Sequence, residues 1–456
     1  MDEVFLCFLF LGMCAFIRMV TVRIHDYLHP LVNKYLSWYA IMFTGIILLY
    51  ARSMYDVVVF EYVKLHFLDP DHILETLHLF LTHEEDRTEL EALAIHKVLR
   101  RFSLVGPLIG GVAVMLVTFH VFRFAFAESP KNRAAREIRD MVFMTIGMPA
   151  VFSVMALRAT IRIWTVMTGS AWLGRDKICN NCKWDHLKTL EMATFNADLG
   201  IASAFQFYTV YLFAKLCAYL LQHSKFIKDD GHGMTKKSLV AYKTRLSHAA
   251  VQGVYFYVAI GVLRSICVLL TAIASEYPKY AEKAANFQAT VLAQTNGVNA
   301  FVTMAGVLNM MVIGNLEDIR EVIGSANMKF NGTRLLLLVS QIQLTLLQVF
   351  TTDSAANQHF KKFLRENPKY ADLPIAKWIV SAFDFSSYQA SLLHASLLAL
   401  ECLAVALLNL WAWGKSDYVN IIRHASEKAN NVYQPLLESN VDVTVEESDR
   451  YRRTQS

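Results

Sequence analysis

Residues 141–167 read MVFMTIGMPAVFSVMALRATIRIWTVM. No charged side chain interrupts the run from Met141 to Leu157, and a helix needs roughly 17 to 25 mostly apolar residues to cross a bilayer. The stretch is therefore long enough to span a membrane, with Arg158 near its middle as the feature to be explained. Working outward, comparable runs separated by polar breaks occur at Val4 to Val20, Tyr35 to Ala51, Leu104 to Ala127, Phe195 to Leu221, Ala250 to Ser275, Gly297 to Gly314, Leu335 to Thr351 and Tyr388 to Trp413. Together they predict nine membrane helices. The first also has the length of a signal-peptide core, but its start, Asp2 and Glu3, is acidic where a secretory signal is basic.

Composition agrees with the spans. Hydrophobic residues make up 55% of the 456 and charged residues 18%, against roughly 25% charge in an ordinary globular domain. Too little polar surface remains to cover several soluble cores. With 19 Gly, 9 Pro and 7 Cys, the chain is not collagenous, wholly disordered or a disulfide scaffold. The net charge of +5 is spread over many short loops rather than gathered in a stripe, so it reads as a topology signal and no nucleic-acid partner is expected. Lys and Arg are denser in alternate loops, which places the N-terminus and the loop from Met54 to Arg101 outside and the tail after Trp413 in the cytosol.

The predicted class is all-α: a polytopic membrane protein with a seven-helix bundle and two additional N-terminal transmembrane helices. It divides into an N-terminal transmembrane pair (1–52), an outer acidic loop carrying short amphipathic helices (53–103), the bundle (104–413) and a partly disordered cytosolic tail (414–456). Within the loop, His72 to Leu81 and Glu89 to Arg101 space their Leu and Ile at helical intervals.

Ionisable groups near a bilayer centre cost about 2.5 to 3.5 kcal/mol even on lenient insertion scales, so each needs a partner or a wet cavity. Arg158, Arg264 and Glu401 lie near the middle of their spans. Two readings stay open. Glu401 pairs with one Arg while the other receives a ligand anion, or the set is a structural ion pair whose second Arg reaches to an interface. Amides and hydroxyls join them: Gln206, Tyr208 and Tyr211 in one helix, Asn299 and Asn309 in another, and Gln341, Gln343 and Gln348 in the next, where Gln341, Thr345 and Gln348 form a stripe suited to a solute path or a helix contact.

The remaining motifs are weaker. Cys7, Cys14, Cys217, Cys267 and Cys402 fall in apolar runs. Cys179-x-x-Cys182 with His186 offers three of the four ligands a closed zinc site needs, and a disulfide or two thiols is the simpler reading, so neither metal nor cofactor is expected. Asn331-Gly-Thr is a sequon in a predicted inner loop and is expected to be unmodified. Tyr433-Gln-Pro-Leu436 has the form of a sorting signal. Phosphate-binding glycine loops, His-Glu-x-x-His and a nucleophile elbow are absent from the sequence, so an enzyme is not expected.

Lys329-Phe330 followed by Gln343, the run Leu393 to Glu401 with its lone Glu, Gln206-x4-Tyr211 with Leu216-Cys217, and Met148-Pro149-x-x-x-Ser153 form a pattern. Over about residues 104–413 this pattern resembles the organic solute transporter alpha family of seven-helix membrane proteins. The family's Glu is Gln206 here, and the inner loop from Gln222 to Ala249 lacks the family's cysteines. The resemblance implies facilitated movement of amphipathic organic anions, such as bile salts and conjugated steroids, with lipids as related ligands. It also implies a small single-span membrane partner or a homo-oligomer. Arg158, Gln206, Tyr211, Arg264, Gln343 and Glu401 are the expected substrate-binding residues. A seven-helix sensor or scaffold, or a subunit of a larger membrane complex, is the alternative.

Overall fold

The computed structural model describes residues 38–60, 97–128, 130, 133–167, 184–223, 236–316, 320, 328–332, 336, 339–340, 343, 346–347, 351, 355–367, 369 and 386–423. The Val4 to Val20 span, the His72 to Leu81 segment, Cys179, Cys182 and Tyr433 to Leu436 lie outside them. Among the described residues the chain is helical: α1 (Trp38–Phe60), α2 (Lys97–Ala125), α3 (Arg133–Met167), α4 (Trp184–His223), α5 (Lys236–Ser275), α6 (Pro278–Phe287), α7 (Ala293–Gly314), α8 (Ala355–Glu366) and α9 (Ser387–Ala412). Short helical segments cover 328–332 and 415–423.

Five of these helices are long and apolar enough to cross a membrane, over Val105–Ala125, Ala134–Trp164, Thr189–Leu221, Thr244–Ser275 and Ser387–Ala412. α3 is the hub. Every residue from 141 to 160 is buried, because α1, α2, α4 and α9 pack around it, while α5 lies against α4 and α7 against α5. The outer helices keep one apolar stripe uncovered. On α2 it runs through Val105, Leu108, Val112, Met115, Phe119 and Phe122, at alternating steps of three and four that place the side chains on one face of a helix. α5 repeats this with Phe256, Leu263, Ile266, Leu270 and Ile273, and α9 with Leu400, Leu407 and Trp411. In water such stripes would be an aggregation hazard; in a bilayer they face solvent of their own polarity.

Small residues let the helices approach. A Cβ on Gly147 would meet Phe43 Cζ at 2.9 Å, and Gly110 and Gly111 lie under the Tyr50 ring, whose hydroxyl donates to the Pro107 carbonyl. α1 is thus seated on α2 and α3 by two aromatics placed over glycines. The start of α9 is fixed by a capping box: the Ser386 hydroxyl accepts from the Gln389 N–H at 3.2 Å, and Gln389 Oε1 accepts from the Ser386 N–H at 3.0 Å, so two end donors are satisfied.

Several helices extend past their hydropathic limits. α5 begins at Lys236, ahead of the Ala250 span, so Lys236, Lys237, Lys243 and Arg245 stand on its first turns instead of in a loop. The polar stretch before Gly297 is also helical: α6, with Pro278 at its start, runs through a π-helical turn at Gln288–Leu292 into α7. After Gly414 the chain turns back at once, and Tyr418, Ile421 and Ile422 of the 415–423 helix are fully buried. Tyr418 stacks on Phe124 with ring centroids 4.5 Å apart.

Candidate functional site

Polar groups gather at three levels of the bundle. The first joins α3 to α4. Arg158 Nε donates to Asp198 Oδ1 at 3.1 Å, Arg162 Nη1 lies 3.3 Å from Glu191 Oε2, and Arg162 Nε stands 3.9 Å from Asp198 Oδ2. Asp198 and Glu191 are 1% and 2% exposed. Two guanidiniums and two carboxylates make a formally neutral quartet in which each charge has an opposite partner, the arrangement that burial demands. Arg158, one of the two arginines expected to compete for Glu401, is therefore held by Asp198 instead. The sequence carried the signal. Arg158 and Arg162 are four apart and Glu191 and Asp198 seven apart, so each pair shares one helix face. Asp198 and Glu191 stand near the edge of the Phe195 span or beyond it, where hydropathy alone gives no reason to seek an intramembrane partner.

The second level lies inside the last helix. His394 Nδ1 is 2.8 Å from Gln343 Oε1; since that oxygen can only accept, the ring donates from Nδ1. Gln343 also hydrogen-bonds the Glu401 side chain, while the other carboxyl oxygen, Oε2, is buried with no hydrogen-bond partner. His394 and Glu401 are seven apart on α9 and share a face, so one amide from the preceding segment ties both. Gln343 and Glu401, both part of the pattern quoted from the sequence, meet each other. His394, which lies in the run Leu393 to Glu401, completes the group. Replacing Gln343 by Leu should leave the 1% exposed His394 without its acceptor and destabilise the protein by about 1 to 3 kcal/mol. In a cycle with His394→Leu, measured by denaturant unfolding in micelles, the two losses should couple by at least 0.5 kcal/mol, roughly the lower bound for residues in contact. Additive losses would mean that the contact carries no energy.

The other expected site residues sit elsewhere. Gln206 is fully buried and Tyr211 half-buried on α4, whose chief packing partners are α3 and α5. Arg264 is half-buried on α5, which packs on α4, α6 and α7. Glu401, by contrast, lies on α9 against α2 and α3.

The third level closes the tail end of the bundle. Lys329 is completely buried; its Nζ lies 2.7 Å from Asp417 Oδ2 and 5.1 Å from the centre of the Trp413 ring. Burial pushes the Lys329 ammonium below its ordinary range, and the hydrogen bond and charge of Asp417 draw it part of the way back. Lys329 thus belongs to a buried pair and not to a solvated loop. Phe330 stacks on Phe213 at 5.6 Å, and Phe213 meets Trp413 edge to face at 6.5 Å. Across the helix end, His120 Nε2 reaches the Trp413 carbonyl at 3.3 Å.

Among the described residues no group of three or more His, Cys, Asp or Glu side chains is placed to hold a metal ion. Fold and site together define a polytopic α-helical membrane protein. Comparison with protein-family models, curated proteins and solved structures returns no match for this chain.

Proposed function

We propose that this protein is a facilitative carrier of amphipathic organic solutes, with steroid- or bile-salt-like anions as the substrate class, and that the last two bundle segments form its solute-binding face. One observation carries the reading. Within the apolar α9 span, Gln343 engages His394 and Glu401 together and leaves Glu401 Oε2 buried with no hydrogen-bond partner. An intramembrane carboxyl with an unused acceptor is costly unless something donates to it, and a hydroxyl on an otherwise apolar body is a suitable donor. The resemblance to the organic solute transporter alpha family rests on the same two positions, Gln343 and Glu401, and supports the same substrate class. Arg264, half-buried within the α5 span, is assigned to the solute's anionic head at a point of the path apart from the Gln343–Glu401 face.

Uptake of a labelled steroid sulfate into proteoliposomes tests the reading, with protein-free liposomes as reference. Saturable uptake above the reference is expected. Arg264→Gln should weaken affinity for the sulfate by roughly 10- to 150-fold, the loss of a charged hydrogen bond, and affinity for the neutral parent steroid far less. Uptake equal to the reference would overturn the transport reading. Equal losses for both solutes would remove Arg264 from the site.

A further inference from the structure

The lower end of α9 carries two buried donors that the solute face above does not use. Asn409 Nδ2 and Trp413 Nε1 are buried with no hydrogen-bond partner, in side chains 1% and 0% exposed. Asn409 stands one turn before Trp413, the residue that caps α9, whose N–H donates to the Asn409 carbonyl at 2.9 Å. Both face the 328–332 helix: Lys329 Nζ stands over the Trp413 ring, and Asn409 closes on Gly332, where a Cβ would strike its amide oxygen. Around them lie Phe213 and Phe330. A buried donor without an acceptor forfeits its whole hydration energy, so two neighbouring ones, set in aromatic walls at the end of a membrane span, define a place for an acceptor oxygen on an apolar body.

Charge selects the class of that acceptor. The Lys329 ammonium is already balanced by Asp417 at 2.7 Å, and the α9 backbone presents its negative end here. An anion would meet both. A neutral oxygen would meet neither penalty. We infer that Asn409 and Trp413 form a binding site for the hydroxyl or carbonyl head of a neutral amphiphile taken from the membrane, distinct from the solute face at Gln343 and Glu401 and independent of whether the protein transports.

The test is equilibrium binding to the purified full-length protein in micelles, with a tritiated 3-hydroxysterol and its 3-sulfate as probes. Asn409→Leu and Trp413→Phe each remove one donor and keep most of the packing. Each is expected to weaken sterol binding by roughly 3- to 10-fold, the worth of one neutral hydrogen bond, while binding of the sulfate, whose anion this site disfavours, is unchanged in both. Probe-free thermal unfolding of the two variants should match or exceed that of the unchanged protein, because each deletes an unsatisfied donor. If Asn409→Leu does not fold, Trp413→Phe alone decides. Absence of saturable sterol binding, unchanged sterol affinity in the variants, or an equal loss of sulfate binding in them would overturn the site. So would a loss of probe-free stability with unaltered affinity, which would assign the donors to ordered water. Uptake is not the readout, so failure here leaves the transport reading standing, and failure of transport leaves this site standing.

Discussion

Asp198→Ala is expected to be the most damaging single substitution in the described bundle. It leaves Arg158 without the carboxylate 3.1 Å from its Nε and strips Arg162 of its second contact, inside a helix pair that offers them no water. Breaking a buried pair by removing one partner costs about 3 to 5 kcal/mol, a large share of the roughly 5 to 15 kcal/mol that holds an ordinary domain folded. The variant should reach the membrane poorly and unfold early in micelles. The paired replacement Arg158→Met with Asp198→Leu should recover most of the loss, since well-packed apolar pairs often equal or exceed buried ion pairs in stability. Unfolding of single and double variants side by side, normalised to protein amount, decides. If the double variant is no better than the single, the damage comes from packing and not from the uncompensated charge.

Asp417→Asn should act through Lys329 and show itself in pH dependence. The folded chain holds the Lys329 proton less tightly than the unfolded chain does, because burial disfavours the ammonium, and Asp417 offsets part of that. Between the lowered folded value and the ordinary lysine value of 10.5, the unfolded state binds more protons, so stability rises with pH across that window. Removing the carboxylate moves the folded value down again, widening the window and deepening the penalty at neutral pH. Since the Asp417 side chain is 33% exposed, the neutral-pH loss should fall toward the lower end of the roughly 3 to 5 kcal/mol for a broken buried pair. The gap between variant and parent should then narrow as the medium is taken from about pH 7 toward about pH 10. Thermal unfolding in micelles at several pH values measures it. A gap that stays constant would show that Lys329 does not titrate against Asp417. Adding Lys329→Met to the variant should restore stability at neutral pH.

These outcomes turn on residues that were legible to different degrees. The membrane class and the last helix followed from hydropathy, since a run such as Tyr388 to Trp413 has few other uses. Gln343 and Glu401 were legible as a pair because an amide and a carboxyl in apolar helices must find company. What hydropathy could not supply was where a helix ends. α5 and α6 begin in charged sequence that a membrane scale counts as loop, yet helix formation needs only backbone hydrogen bonds and tolerable propensity. The same blindness hid Glu191, which precedes the Phe195 span but faces Arg162, and Asp417, which follows the Tyr388 span but seals Lys329. A partner four or seven residues beyond the apolar limit lies within one or two helical turns, so ion pairs have to be sought along helix faces and not within hydropathic boundaries.

The α3–α4 quartet also bears on how the chain enters a membrane during synthesis. Arg158 and Arg162 emerge from the ribosome first, and their carboxylates follow later: Asp198 comes 40 residues after Arg158, and Glu191 comes 29 residues after Arg162. Released into lipid alone, α3 would carry Arg158 within its span at up to about 2.5 to 3.5 kcal/mol, with Arg162 two residues from the span's end at Trp164 and able to reach toward the interface. Arrival of α4 offsets that cost by supplying Asp198 and Glu191, so entry of the two helices together as a hairpin is energetically favoured over entry of α3 alone.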